Sequence, residues 1–199
     1  MPWIGNASSQ PLALPPSIKR LCIAALLAVF LCGSLGPAEA QTPSRQHQIV
    51  FNAGPQFATG DASDAYKTGL AIDVGYYYRA TEAVFVGVYG GYQQFASDNG
   101  SGDLDLIPVN LTATYAFSLT GVQPYVGAEE GPFFLSNGER STELGIAPRI
   151  GVRVPLSRGI DLDLTLKYNA VFTEGDSFTY VGTNGGFAYL LGRTGIEDR

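Results

Sequence analysis

After residue 40 the chain keeps returning to one pattern, in which apolar and polar or small residues alternate and clusters of Gly, Asp, Asn and Ser separate the runs. Successive side chains point to opposite faces only on a strand, so a period of two limits these runs to β-structure with one greasy face. The stretch LGIAPRIGVRVPLS, residues 144 to 157, tests this reading. In a helix Arg149 and Arg153 would share a face, but Gly145, Pro148, Gly151 and Pro155 would each weaken or break that helix. In a strand every even position from 144 to 156 is apolar, and the odd positions read Glu143, Gly145, Ala147, Arg149, Gly151 and Arg153.

Eight such segments follow one another, near residues 47–58, 67–79, 83–96, 104–119, 122–135, 142–156, 160–173 and 178–192. Their spacing is short, which makes antiparallel neighbours the economical arrangement, and no helical pattern of useful length remains. Eight antiparallel strands can close on themselves and so remove the exposed edges that an open sheet must protect. The expected fold is therefore all-β, a single eight-stranded up-and-down barrel.

A barrel can hold its grease inside, around a ligand, or outside, against lipid. The aromatic residues decide between these. With strands alternating up and down, Tyr76, Tyr78, Tyr115, Phe117, Phe187 and Tyr189 fall at one end of the apolar face, and Phe57, Tyr92, Phe134 and Phe172 at the other. Two aromatic belts flanking a band of Val, Leu, Ile and Ala mark a barrel that crosses a membrane. The connections RATEA, SLTG and LSRG at one end are compact, whereas TGDASDAYK, SDNGSGD, SNGERS and TEGDS at the other are looser and more acidic. On this reading Arg149 and Arg153 face the interior with Asp73, Glu129, Glu143, Asp163 and Lys167, a polar network filling a lumen too narrow to stay empty. Each charge there needs a partner, because an unpaired buried charge is strongly destabilising.

The N-terminus carries Lys19 and Arg20, the apolar run LCIAALLAVFLCGSL, Pro37, and the small-residue site Ala38-Glu39-Ala40. That is the layout of a cleaved secretory signal peptide over residues 1–40, followed by one barrel domain over 41–199. Both cysteines, Cys22 and Cys32, lie in the leader, so the exported chain can form no disulfide. Removing Lys19, Arg20 and Glu39 from the totals leaves 12 − 2 = 10 basic and 18 − 1 = 17 acidic residues, a net charge of −7 that argues against a nucleic-acid partner.

The segment IPVNLTATYAFSLTGVQPYVGAEEG joins a polar–apolar strand ending in an aromatic to a short turn and a Pro-Tyr-Val-Gly-Ala strand. With YVGTNGGFAYLLG at the last strand, it resembles the outer-membrane β-barrel domain family, the small OmpA-, OmpX- and OmpW-like barrels of Gram-negative bacteria. The resemblance covers the whole chain after the leader. It implies residence in the cell outer membrane, contact with outer-membrane lipids and lipopolysaccharide, and passage through the barrel-assembly machinery. Asn184, Gly186, Tyr189 and Leu191 match the assembly signal of that class. Two features depart from the family pattern. Glu129 and Glu130 stand where small residues are usual, and strict alternation leaves one of them facing lipid unless a bulge near Gly131-Pro132 turns it away. The chain also continues past the eighth segment as GRTGIEDR.

Signs of catalysis are sparse. His47 is the single histidine, at the rim of the first strand and far from any Ser on the late strands. NGSGDLDL, residues 99 to 106, is one copy of a Gly-Asp pattern that binds calcium only in arrays. Asp161 and Asp163 lie beside a turn, where ion pairing explains them. The expectation is a non-enzymatic surface or structural barrel with no cofactor and no metal; the alternatives are a narrow solute channel, a lipid-modifying enzyme and a soluble lipocalin-like binder.

Overall fold

A computed structural model describes residues 47–98, 102–137, 139–173 and 177–191, so the leader expected over residues 1–40 and the GRTGIEDR extension lie outside the described residues. Eight strands follow in chain order: β1 (His47–Thr59), β2 (Gly69–Arg79), β3 (Val84–Phe95), β4 (Leu104–Ala116), β5 (Gln123–Asn137), β6 (Glu139–Ser157), β7 (Ile160–Phe172) and β8 (Ser177–Leu191). Each pairs antiparallel with the next, and β8 pairs with β1 to close the barrel. One 3-10 turn, Gly60–Asp64, follows β1.

The stagger of the barrel can be read from its register. Stepping sideways from Ile49 leads to Tyr76, Val88, Leu111, Glu130, Ile146, Ala170 and Thr179, and back to β1 at Thr59. The return lies 59 − 49 = 10 residues further along the strand. Ten residues of stagger over eight strands incline the strands by about 40° to the axis, given a rise of ~3.3 Å per residue and a strand spacing of ~4.8 Å. The 13 residues of β1 then span roughly 30 Å along the axis, the thickness of a bilayer's hydrocarbon core.

The apolar faces point outward. Leu70 and Ile72 are each 69% exposed, and Val74, Val88, Val109, Leu111, Ile150 and Leu164 are exposed with them. The aromatics Tyr76, Tyr78, Tyr115, Phe117, Phe187 and Tyr189 ring the end with short turns, while Phe57, Tyr92, Phe134 and the half-buried Phe172 ring the end with longer loops. A lipocalin-like interior is thereby excluded, since the grease is on the wrong side.

One local expectation differs from the structure, and the orientation of the Glu129-Glu130 pair, left open by the sequence, is given by the register. No bulge interrupts β5 at Gly131-Pro132: pairing with β6 runs unbroken from Gln123↔Arg153 to Asn137↔Glu139, so Glu129 points in and Glu130 points out. The register slips instead at the turn end of β6, between Pro155 and Ser157 in the pairing with β7, where proline supplies no N–H to the ladder. The stretch SNGERS, expected to be a loose loop, is largely strand, because β5 and β6 remain paired beyond the membrane band.

Candidate functional site

The interior is built in three layers. The middle layer comes from inward positions that the stagger brings to one depth: Asp73 on β2, Tyr89 on β3, Asn110 on β4, Glu129 on β5, Arg149 on β6, Lys167 on β7 and Asn184 on β8. Four charges alternate here. Arg149 Nη1 donates to Glu129 Oε1 at 2.7 Å, and Lys167 Nζ lies 3.7 Å from Glu129 Oε2 and 3.5 Å from Asp73 Oδ2. Asn184 Nδ2 donates to Asp73 Oδ2 at 2.9 Å, Gln56 Nε2 to Asn184 Oδ1 at 2.8 Å, and Lys167 Nζ to Tyr89 Oη at 2.9 Å. All four charged side chains are at most 3% exposed.

Toward the turn end the second layer centres on Asp163, which is fully buried. It accepts from Arg153 Nε at 3.3 Å, Asn52 Nδ2 at 2.9 Å, Tyr125 Oη at 3.0 Å and Thr165 Oγ1 at 3.1 Å. The Arg153 guanidinium also donates to Gln48 Oε1 at 2.9 Å and sits 5.0–5.6 Å from the rings of Tyr125, Phe85 and Tyr77. Arg149 lies over Tyr77 and Tyr125 as well, at 5.5 and 5.3 Å. The two arginines four residues apart thus enclose two shared aromatic rings, an arrangement in which the weakly hydrated guanidinium is stabilised inside a desolvated space.

The third layer closes the loop end and is apolar. Phe95, Leu104, Leu106, Phe133, Val171 and Tyr180 pack across the lumen, with Phe178 meeting Phe95 edge-on at 5.4 Å. Above it a hollow of about 480 Å³ opens outward, floored by Tyr66, Leu104, Leu135 and Phe178 and rimmed by Asn137 and Arg140.

Of the residues expected in the polar network, Asp73, Glu129, Arg149, Arg153, Asp163 and Lys167 are brought together. Glu143 is not. It shares the inward face but stands half-exposed nearer the loop end, opposite Phe133, and joins no ion pair among the described residues. The sequence reading missed the apolar end layers, whose signal was the presence of Phe85, Phe95, Phe133 and Tyr180 on the inward faces of their strands. On β8, Asn184 and Gly186 point inward, and Tyr189 and Leu191 point outward into the turn-end belt. His47 sits at that same rim, its Nδ1 2.6 Å from Tyr76 Oη and its ring 5.4 Å from that of Tyr78. No group of three or more His, Cys, Asp or Glu side chains suited to a metal occurs among the described residues.

No family model matches the sequence, and neither does any curated protein. Solved structures do match. The Neisserial surface protein A barrel superposes with a TM-score of 0.59 at 20% identity, over 73% of this chain and 97% of that one. The outer-membrane protein OprG of Pseudomonas aeruginosa superposes at 0.52 with 12% identity, over 75% of this chain and 98% of that one. The chain has the fold of the small eight-stranded outer-membrane barrels.

Proposed function

We propose that this protein is a closed, non-catalytic outer-membrane barrel that serves as a rigid membrane scaffold and meets its surroundings through its loop end. The observation that carries the reading is the filling of the interior. An apolar layer at the loop end, a ring of four charges at mid-depth and an aromatic cage at the turn end together leave little room for a through-path. An eight-stranded barrel is just wide enough to be filled in this way. In this reading residues 1–40 are a cleaved leader, the loop end faces outward, and lipopolysaccharide is met at the loop-end belt. The last strand is presented to the assembly machinery through Asn184, Gly186, Tyr189 and Leu191.

The test is conductance. Barrel reconstituted in planar bilayers, and shown to be folded by its gel mobility before and after boiling, should carry no discrete current steps. Reproducible steps would establish the second reading, a narrow solute channel. That reading draws support from interior polar atoms without hydrogen-bond partners, among them Asp73 Oδ1, Arg149 Nε, Asn110 Oδ1 and Thr112 Oγ1, which a water file would satisfy. Enzymatic action draws little support, because the contacts of His47 are tyrosines of the belt.

A further inference from the structure

Between the two aromatic belts, the outward face carries one charged side chain among the described residues, Glu130. It stands at the midpoint of β5, flanked by Leu111 of β4 and Ile146 of β6, and finds no hydrogen bond or ion pair among the described residues. Lipid cannot satisfy it, since the hydrocarbon core offers no donor at that depth. A carboxyl group in that position calls for another protein surface with a donor at the same height.

This chain itself carries such a donor. A path of constant depth falls behind the direct register by 10/8 = 1.25 residues per strand, the stagger divided by the strand number. From Glu130 the direct partners are Ile146 and then Ala170, so constant depth on β7 lies 2.5 residues before Ala170, beside Tyr168. Tyr168 faces outward, is 46% exposed, and its hydroxyl also lacks a partner among the described residues. Glu130 and Tyr168 therefore stand level on the lipid-facing wall, one on each side of β6.

We propose that this wall, centred on β6, is an in-membrane docking face for a second copy of the chain, in which the Tyr168 hydroxyl of each copy donates to the Glu130 carboxyl of the other. Two copies inserted with the same topology are related by a two-fold axis along the membrane normal. Such an axis through β6 brings residue i of one copy to residue j of its partner and j to i, at unchanged depth. With Glu130 to one side of the axis and Tyr168 to the other, acceptor meets donor twice. The residue of β6 at that height is Pro148, with Ala128 beside it, and neither carries a long side chain to hold the convex walls apart. On the turn-end side the same wall has an open apolar hollow of about 780 Å³, bordered by Val126, Ile150, Leu164, Leu166 and Gly185, with room for side chains from a neighbouring barrel.

Disulfide trapping in isolated outer membranes tests this directly. Pro148→Cys should give a dimer on non-reducing gels, whereas Ile72→Cys, at similar depth on the opposite wall, should not. In vesicles carrying donor- and acceptor-labelled barrels, Tyr168→Phe and Glu130→Leu should each weaken dimerisation about tenfold or more, and Glu130→Gln, which still accepts a hydrogen bond, by clearly less. The boil-induced mobility shift reports that each variant is folded. The proposal is overturned if the wild-type barrel is monomeric in vesicles, if both cysteines cross-link equally, if Pro148→Cys traps only a different protein, or if the Tyr168 and Glu130 variants dimerise as well as wild type.

Discussion

Replacing Lys167 with Met removes one of two cations from the mid-depth ring and leaves Asp73 and Glu129 facing a single remaining positive charge, on Arg149. Breaking a buried ion pair by deleting one partner costs about 3–5 kcal/mol. The lower end applies to the charges here, because Asp73 keeps the Asn184 amide at 2.9 Å and Glu129 keeps Arg149 at 2.7 Å. Loss of the ammonium from the Tyr89 ring, 4.1 Å from its centre, adds roughly 1 kcal/mol. With a urea dependence of about 2 kcal/mol per M, a loss of ~3–4 kcal/mol lowers the unfolding midpoint by ~1.5–2 M. The assay is a urea titration of barrel refolded in lipid vesicles, followed by circular dichroism and gel mobility. A second substitution, Asp73→Asn, restores the balance of charge and should recover more than half of the loss, since the pair is coupled. A single variant within 0.5 M of wild type, or a double variant no more stable than the single, would refute the claim that these charges are held in a desolvated ring.

Other perturbations probe the remaining layers. At Gly186 an added Cβ would stand 1.8 Å from the Phe51 carbonyl oxygen, so Gly186→Ala should prevent β8 from closing on β1 and abolish the heat-modifiable band on gels. Phe133→Ala empties a fully buried position of the loop-end layer; it should cost about 3–5 kcal/mol in the same titration and let small solutes into the lumen in a vesicle swelling assay. His47→Ala should change stability by less than ~1 kcal/mol, because its ring occupies an exposed interfacial site, and should leave the acylation pattern of lipid A unaltered. An altered lipid pattern on mass spectrometry would reopen the question of catalysis.

The alternation of β4, with Ile107, Val109, Leu111, Ala113 and Tyr115 outward, made its lipid face legible because a polar side chain at that depth is costly and β4 carries none there. β3 was harder to read. Phe85, Tyr89 and Phe95 point inward while Val86, Val88 and Tyr92 point outward, so neither face is polar, for the reason that the lumen is closed by rings at both ends. Parity identified the inward face of Arg149, Arg153 and Glu143 alike. It said nothing of depth, and depth separates Glu143, opposite Phe133, from the charges of the two layers below. The sequence left the Glu129-Glu130 pair open between strict alternation and a bulge at Gly131-Pro132, for which the one ground was the penalty for a carboxyl group in lipid. The register shows that β5 accepts Glu130 on that face. The paired extension of β5 and β6 was hidden because residues beyond the membrane band face water on both sides and need not alternate.

The seam between β1 and β8 joins Ile49 to Tyr189, positions 189 − 49 = 140 residues apart. Bringing ends so distant together costs roughly 4 kcal/mol of chain entropy before a single hydrogen bond of that seam forms. None of it is returned until the last strand is available, so the other seven strands alone are an open sheet with two raw edges. Folding of this chain is therefore governed by its final step. A topology dominated by such non-local pairing folds slowly, and loss of the last strand disables the whole barrel at once instead of fraying one side of it.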